Sequence, residues 1–312
     1  MASTKSEFGQ VFIIGVGRSG TTLLRTLLDG HSQLCVTPEA HFVYPMLCYS
    51  KHYDQGGFDQ TQFVHDLMRS GSFGHWHMTM QQLNSLSSKV YSTKDALANI
   101  YAGYAQINGK PVAIDKTPSL TQHIAYLSEV FPDSRFVHMI RDGRDVAISQ
   151  YEAGWTKSVY EAAVDWTVRT EIAYKTGQSL GTKRYVELRY EDLISKPSVE
   201  LRKLCHWLGL QYESQMIEQR KKTAQNILPS VFRADLHTSL VKTIGVQRPK
   251  GTTKHRQMAE LVAHDQLKKL GYECDTNRSI VGKIVFGYWY TRKFGLAKLR
   301  QASWGSRLPR HY

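Results

Sequence analysis

Long apolar runs are absent from this chain of 312 residues. None approaches the ~20 residues that a membrane-crossing helix requires, and the most apolar strand-like stretch, Val11 to Ile14, stops at a glycine turn. Neither a membrane span nor a secretory signal is therefore expected. Cysteine is scarce as well: Cys35, Cys48, Cys205 and Cys274 are widely scattered, without a C-x-x-C pair. That excludes a disulfide framework and a thiolate metal site, and it predicts reduced, mostly buried thiols in a reducing, cytoplasmic setting. The thirteen His residues show no H-E-x-x-H or mixed Cys/His spacing, so no metal is expected. Acid is missing from one region altogether. From Thr276 to Tyr312 there are eight Lys or Arg residues and no Asp or Glu, so this tail holds over half of the formal net charge of +13. The body that remains is mildly basic, suited to an anionic ligand and without the signature of a nucleic-acid binder.

One further absence is local and more informative. Val11 to Leu28, VFIIGVGRSGTTLLRTLL, reads as a short buried strand, a tight glycine turn, and a helix carrying Leu23, Leu24, Leu27 and Leu28 on one face. Such a turn aims backbone N–H groups and a helix N-terminus at one anionic group. Ser19, Thr21 and Thr22 add hydroxyl donors, and Gly20 permits a close backbone approach. The nucleoside-triphosphate loop G-x-x-x-x-G-K-[ST] places Lys after its second glycine; here Thr21 stands there, and the cation is Arg18, inside the turn. A cradle without that Lys suits a ligand presenting one phosphate at this end.

Further along, short strands alternate with helices. Strands are expected at Gln33–Thr37, within Lys110–Pro118, at Arg135–Ile140 and at Arg184–Tyr190. Helices are expected from about Leu120 to Val130, after Arg141-Asp142-Gly143-Arg144-Asp145, over Val159–Thr176 with Trp166 in the core, over Lys196–Leu208, and over Arg256–Leu270. This alternation implies an α/β fold, a three-layer arrangement with a parallel sheet covered on both faces, whose ligands bind at the C-terminal strand ends. The cradle, Asp115-Lys116 and Arg141 all fall at such ends. Residues 1–10 are expected to be disordered. The weakly periodic stretch of about 42–109, rich in His, Tyr, Gln, Ser and Met, is expected as helices and loops inserted on the acceptor side. Residues 273–312 form a basic, aromatic C-terminal extension, and nothing in the sequence indicates an oligomeric state.

Taken in order, the cradle, Glu39-Ala40-His41, Asp115-Lys116-Thr117-Pro118 and RDGRDVAIS from Arg141 to Ser149 resemble the sulfotransferases that use 3′-phosphoadenosine 5′-phosphosulfate. The resemblance covers about Val11 to Tyr272 and is closest to the tyrosylprotein and glycan branch. It implies a sulfotransferase domain over 11–272 with a fold like the P-loop nucleoside triphosphate hydrolases, and 3′,5′-adenosine bisphosphate as the product. Arg18, Ser19, Gly20, Thr21 and Thr22 would hold the 5′-phosphosulfate. Arg141 and Ser149 would clasp the 3′-phosphate, a task suited to the planar donor fork of Arg. Tyr190, in L-R-Y-E-D-L, matches a nucleotide-contacting position. Arg248, Lys250 and Gly251 resemble a loop closing over the 3′-phosphate, with Pro249 splitting its cations and Lys254 and Arg256 nearby. Glu39 takes the position of the family's base, with His41 the alternative, and Arg18 and Lys116 would stabilise the transferred group and the bridging oxygen.

These readings converge on transfer of a sulfuryl group to an acceptor hydroxyl, with a carbohydrate or glycoconjugate favoured over a small metabolite or a peptide tyrosine. A P-loop small-molecule kinase is the alternative from another enzyme class, with Val112–Asp115 as its second nucleotide strand. Thr21 argues against it. The mixture of Phe286, Tyr288, Trp289, Tyr290, Phe294 and Trp304 with the tail's cations leads us to expect a peripheral membrane or anionic glycan contact through 276–312.

Overall fold

A computed structural model of the chain describes residues 9–218, 252–277 and 279–295. Strands β1 (Val11–Ile14), β2 (Leu34–Val36), β3 (Val112–Lys116), β4 (Arg135–Ile140) and β5 (Tyr185–Arg189) form one parallel sheet in the order β2-β3-β1-β4-β5. All four residues of β1 are buried, which explains its unbroken apolar sequence: a central strand covered on both faces has no polar side to show. Its side chains nevertheless alternate. Val11 and Ile13 pack with Leu24, Leu27 and Leu28 of helix α1 (Thr21–Asp29), while Phe12 and Ile14 pack into a second cluster on the opposite face.

That second face is covered largely by the inserted stretch. Helices α2 (Val43–Cys48), α3 (Ser50–Asp54), α4 (Gln60–Arg69), α5 (Met80–Leu86) and α6 (Thr93–Ile107) bring Phe42, Tyr53, Phe63, Trp76 and Tyr101 against Phe12 and Phe136. Helix α7 (Ile124–Val130) follows β3, and α8 (Gly143–Glu152) follows β4. Helix α9 (Val159–Leu180) crosses beside them with Trp166 buried. On the α1 side, α10 (Tyr190–Ser195), α11 (Pro197–Trp207) and α12 (Gln215–Glu218) complete the layer. Helices α13 (Thr253–Lys269) and α14 (Ile280–Tyr290) pack on α8 and α9. The chain leaves β1 toward one sheet edge and returns past it to the other, so β1, flanked by β3 and β4, marks the switch point where such sheets open a crevice.

Local details depart from the sequence reading. The helix expected from Leu120 begins instead as a 3-10 turn, Pro118–His123. Thr121 causes this: its hydroxyl donates to the Pro118 carbonyl (2.7 Å) and accepts from Gly15 N–H (2.8 Å), tying the turn to the cradle. Helix α9 runs on to Leu180 and stops where Gly181 takes a φ of 72°. Gln10, expected in a disordered arm, extends the sheet, since its carbonyl accepts from Arg135 N–H and its side-chain amide donates to the Ala113 carbonyl; residues 1–8 lie outside the described residues. The four thiols are free, but Cys48 is exposed at the end of α2 and Cys274 is only half-buried.

Candidate active site

The cradle's shape follows from its backbone. Gly20 caps α1 with a φ of 93°, no side chain caps the helix, and its first turn carries no acid, so the helix start is left to an anion. A Cβ on Gly20 would come within 2.4 Å of the Tyr190 ring, so glycine here is needed for both conformation and space. Ser19 and Thr21 are buried and Thr22 is exposed. Ser19 N–H donates to the Val16 carbonyl (3.0 Å), closing the turn. Arg18 adopts a φ of 76°, a conformation uncommon outside glycine that neighbouring contacts must hold. They do so from β4 and α8. Arg141 Nη1 donates to the Arg18 carbonyl (3.1 Å), Gln150 Nε2 to the Gly17 carbonyl (3.0 Å), and Arg18 Nε to Ser149 Oγ (2.9 Å). The two anion sites expected separately from the sequence, Arg18 to Thr22 and Arg141 with Ser149, are thus parts of one hydrogen-bonded frame.

Arg141 is buried at the end of β4 with its guanidinium 4.4 Å from the centre of the Tyr190 ring. The nearby carboxylates are engaged elsewhere. Asp142 accepts from Arg144 Nη2 (2.7 Å) and Arg256 Nη2 (3.1 Å), and Asp145 accepts from Arg256 Nη1 (2.8 Å), while the Arg141–Asp145 separation is 3.9 Å. Arg144 also reaches Glu260 (2.6 Å), so α13 is locked to the start of α8. Burial alone would raise Asp142, but the hydrogen bonds and charge of Arg144, with Arg256, hold it below the usual carboxylate range. Buried Arg141 Nε has no hydrogen-bond partner among the described residues, which suits a donor meant for a ligand. Arg256, which the sequence placed near the phosphate loop, is committed to these two carboxylates. Arg248, Lys250 and Gly251 lie outside the described residues.

The Lys116–Glu39 pair, expected from the sequence to carry the chemistry, forms between the ends of β2 and β3. The sheet register sets Lys116 level with Ile13, on the α1 side, with its side chain 4% exposed and its ammonium donating to Glu39 Oε1. Burial lowers the Lys116 pKa and the nearby charge of Arg25 adds to this, while Glu39 opposes it. The Glu39 side chain is 37% exposed and faces His41, whose Nε2 lies 2.9 Å from Glu39 Oε2. Burial would push this carboxyl up, but the His41 hydrogen bond and the Lys116 charge outweigh it and hold Glu39 down at about 2. His41 Nδ1 lies 2.8 Å from Ser119 Oγ, so both ring nitrogens are engaged.

Several residues to which the sequence reading gave no role of their own support this pair. Thr117 Oγ1 accepts from Ala40 N–H (2.7 Å), fixing the peptide between Glu39 and His41. Asp115, buried and level with Phe12, accepts from Tyr101 on α6 (2.5 Å). Arg25, one helical turn beyond Thr21, has a buried Nε without a hydrogen-bond partner among the described residues. Exposed Trp155 stands against Gly17, with the Arg18 guanidinium 5.6 Å from its ring. The i, i+4 spacing of Arg25 from Thr21 was a usable signal, whereas Trp155 and Tyr101 reach the site through tertiary packing. Among the described residues no cluster of three or more His, Cys, Asp or Glu could hold a metal ion.

An α/β sheet with an anion cradle after its first strand, a buried Arg after its fourth, and a Lys–Glu pair between them defines a group-transfer enzyme for a doubly anionic donor. A profile of the sulfotransferase family matches residues 10–214, more than half of the 312. The chain belongs to the sulfotransferase family, and it is an enzyme of the class dependent on 3′-phosphoadenosine 5′-phosphosulfate. It is 23% identical over 284 residues to protein-tyrosine sulfotransferase A of Caenorhabditis elegans, spanning 88% of this chain and 70% of that protein. It is 25% identical over 223 residues to protein-tyrosine sulfotransferase 2 of Gallus gallus, spanning 69% of this chain but 55% of that protein. In fold it is similar to the sulfotransferase domain of the Synechococcus PCC 7002 olefin synthase, with a TM-score of 0.57 at 20% identity over 88% of this chain and 98% of that one.

Proposed function

We propose that the protein transfers the sulfuryl group of 3′-phosphoadenosine 5′-phosphosulfate to the phenolic hydroxyl of a peptide tyrosine, with Glu39 as base. The Glu39–Lys116 pair carries this reading. In an in-line displacement the acceptor oxygen bonds to sulfur as the bond from sulfur to the 5′-phosphate oxygen breaks, and the acceptor proton goes to the base. Arg141 and Ser149 suit the 3′-phosphate and Arg18 to Thr22 the phosphosulfate. Lys116 suits the bridging oxygen, where charge develops. When Lys116 turns to the donor it leaves Glu39, whose carboxyl then rises from about 2 toward its ordinary range and becomes a better base just when one is needed. His41, 2.9 Å from Glu39 Oε2 and 2.8 Å from Ser119 Oγ, is placed to orient it.

The carbohydrate acceptor favoured from the sequence gives way here to peptide tyrosine. Two observations favour the change: the relatives cited above are named for protein tyrosine, and a base as weak as Glu39 is better matched to a phenol of pKa about 10 than to the far less acidic hydroxyls of a sugar. Two measurements test the reading. Melting temperature should rise with 3′,5′-adenosine bisphosphate and not with ATP–Mg; stabilisation by ATP alone would overturn the donor. Sulfate incorporation should be found in a tyrosine-containing peptide and be lost on Tyr→Phe in that peptide. Incorporation into a glycosaminoglycan but not the peptide would restore the carbohydrate reading.

A further inference from the structure

Helix α14 divides its side chains unequally. Gly282 lies so close to α13 that a Cβ would come within 2.2 Å of the Leu261 carbonyl oxygen. Val285, Phe286 and Trp289 pack with it against Ala147, Val159, Ala162, Ala163, Ala259 and Val262. At 3.6 residues per turn these positions make one face. The opposite face carries Ile280, Ile284 and Tyr288 at four-residue spacing with Val281 beside them, and these are 77%, 66%, 57% and 58% exposed. The large apolar side chains exposed elsewhere, such as Met68, Tyr91 and Val199, stand on separate elements and need no explanation, but a stripe on one helix does.

Charge indicates what covers it. Lys283 and Arg292 fall on opposite flanks of the stripe, both exposed, and Arg292 donates to the Tyr288 hydroxyl (2.9 Å). Lys293 turns inward to Asp165 (3.1 Å) and, with Gly282, holds the helix on the body. From residue 276 to 312 the chain has eight cations and no acid. An apolar stripe between cations, without one carboxylate to repel an anionic surface, is the pattern of a helix that lies in a lipid interface. Eleven residues at 1.5 Å each reach about half of a bilayer's ~30 Å hydrocarbon core, so the helix lies in the plane of the membrane and does not cross it. A sulfated or carboxylated glycan would use the cations but gains nothing from Ile280, Val281 and Ile284.

We propose that α14 docks this enzyme peripherally on an anionic lipid membrane, inserting the Ile280–Ile284–Tyr288 stripe among the headgroups while Lys283 and Arg292 meet their phosphates. The inference is independent of the acceptor assignment. The test is flotation of the full chain with phosphatidylserine-containing vesicles, with pure phosphatidylcholine vesicles and with immobilised heparin in parallel. Binding is expected on the anionic vesicles, weaker on the neutral ones, and is expected to fall roughly tenfold or more in the double variant Ile280→Asp/Ile284→Asp, since each side chain forfeits its burial. Both sites are exposed, so melting temperature and bisphosphate-induced stabilisation should be retained, and Lys283→Glu should weaken only the anionic arm. No binding to anionic vesicles, equal binding by the double variant, retention on heparin alone, or a solution dimer that the variant splits would each overturn the proposal.

Discussion

At the Arg141 end of the crevice the charges are arranged so that none needs to move: Asp142 and Asp145 are held by Arg144 and Arg256, Glu260 closes the set, and Arg141 is left for the proposed 3′-phosphate. At the Lys116 end a buried ammonium grips a carboxylate that is more than a third exposed, and the proposed reaction must separate them. Both ends are ion pairs beside a site proposed for an anion. They differ in whether a spare partner exists. Arg144 satisfies two carboxylates at once and anchors α13, a structural duty. Lys116 is paired with one, so an arriving donor can take it. Binding is thus assigned to the fixed end and chemistry to the exchangeable one.

The largest effects should come from the exchangeable end. Glu39→Ala is expected to lower kcat by about 10²–10⁴ while stabilisation by the bisphosphate is kept; a variant that loses bisphosphate binding instead would place Glu39 in the donor site. Lys116→Met should also reduce kcat, by about 10²–10³, and should raise the Glu39 pKa from about 2 toward the ordinary carboxylate range, read by carboxyl NMR. An unmoved Glu39 in that variant would break the exchange argument.

The fixed end should answer in stability. Arg144→Ala takes from Asp142 and Glu260 the cation they share, in a site where all three side chains are at most 10% exposed, and removal of one member of a buried pair costs about 3–5 kcal/mol. Melting temperature should drop accordingly, and kcat of the folded fraction at saturating donor should change little. A variant of normal stability but poor turnover would erase the contrast between the ends. Thr117→Val probes the join on the other side. It leaves Ala40 N–H without its acceptor, at about 1–3 kcal/mol. By displacing Glu39 it should lower kcat roughly ten- to a hundredfold with donor KM unchanged.

Legibility from sequence divides along a related line. The strands of the crevice were readable as short stretches rich in apolar residues between polar turns, and the cradle because glycines and hydroxyls crowd one short turn around Arg18. Arg18, Glu39, Lys116, Arg141 and Ser149 were singled out through the ordered motifs of the family resemblance, and the fold sets each at the end of a strand or in the loop or helix that follows one. The 3-10 turn at Pro118–His123 was not, since it depends on Thr121 bonding to a glycine 106 residues away. Neither was Tyr101, whose α6 shows only weak amphipathic patterning and which reaches Asp115 through a tertiary contact. In the tail, composition revealed an apolar and basic segment; which face of α14 packs and which stays open needed the position of α13.

The smallest effect expected isolates a carboxylate that neither end uses. Burial pushes Asp115 up to about 6, against the pull of the Tyr101 and Thr117 hydroxyls and of Lys116. A carboxyl raised in the folded state takes its proton there first, so its contribution to stability is fully present below the unfolded value of about 3.9 and is lost as pH rises through about 6. Glu39, depressed to about 2, has the opposite sign, and its contribution is complete only once the pH is clear of the unfolded value of about 4.3. Asp115→Asn keeps an oxygen for the Tyr101 hydroxyl and removes the titration. The unfolding free energy of the wild type relative to this variant should therefore fall between about pH 4 and pH 7, by an amount on the order of 1–3 kcal/mol. Taking the difference cancels the half-buried His123 and the buried His138, both lowered by desolvation in both proteins. A difference that stays flat with pH would mean that Asp115 is ionised in the fold, with Lys116 bound to it as firmly as to Glu39, and the exchangeable end would then have the spare partner that distinguishes the fixed one.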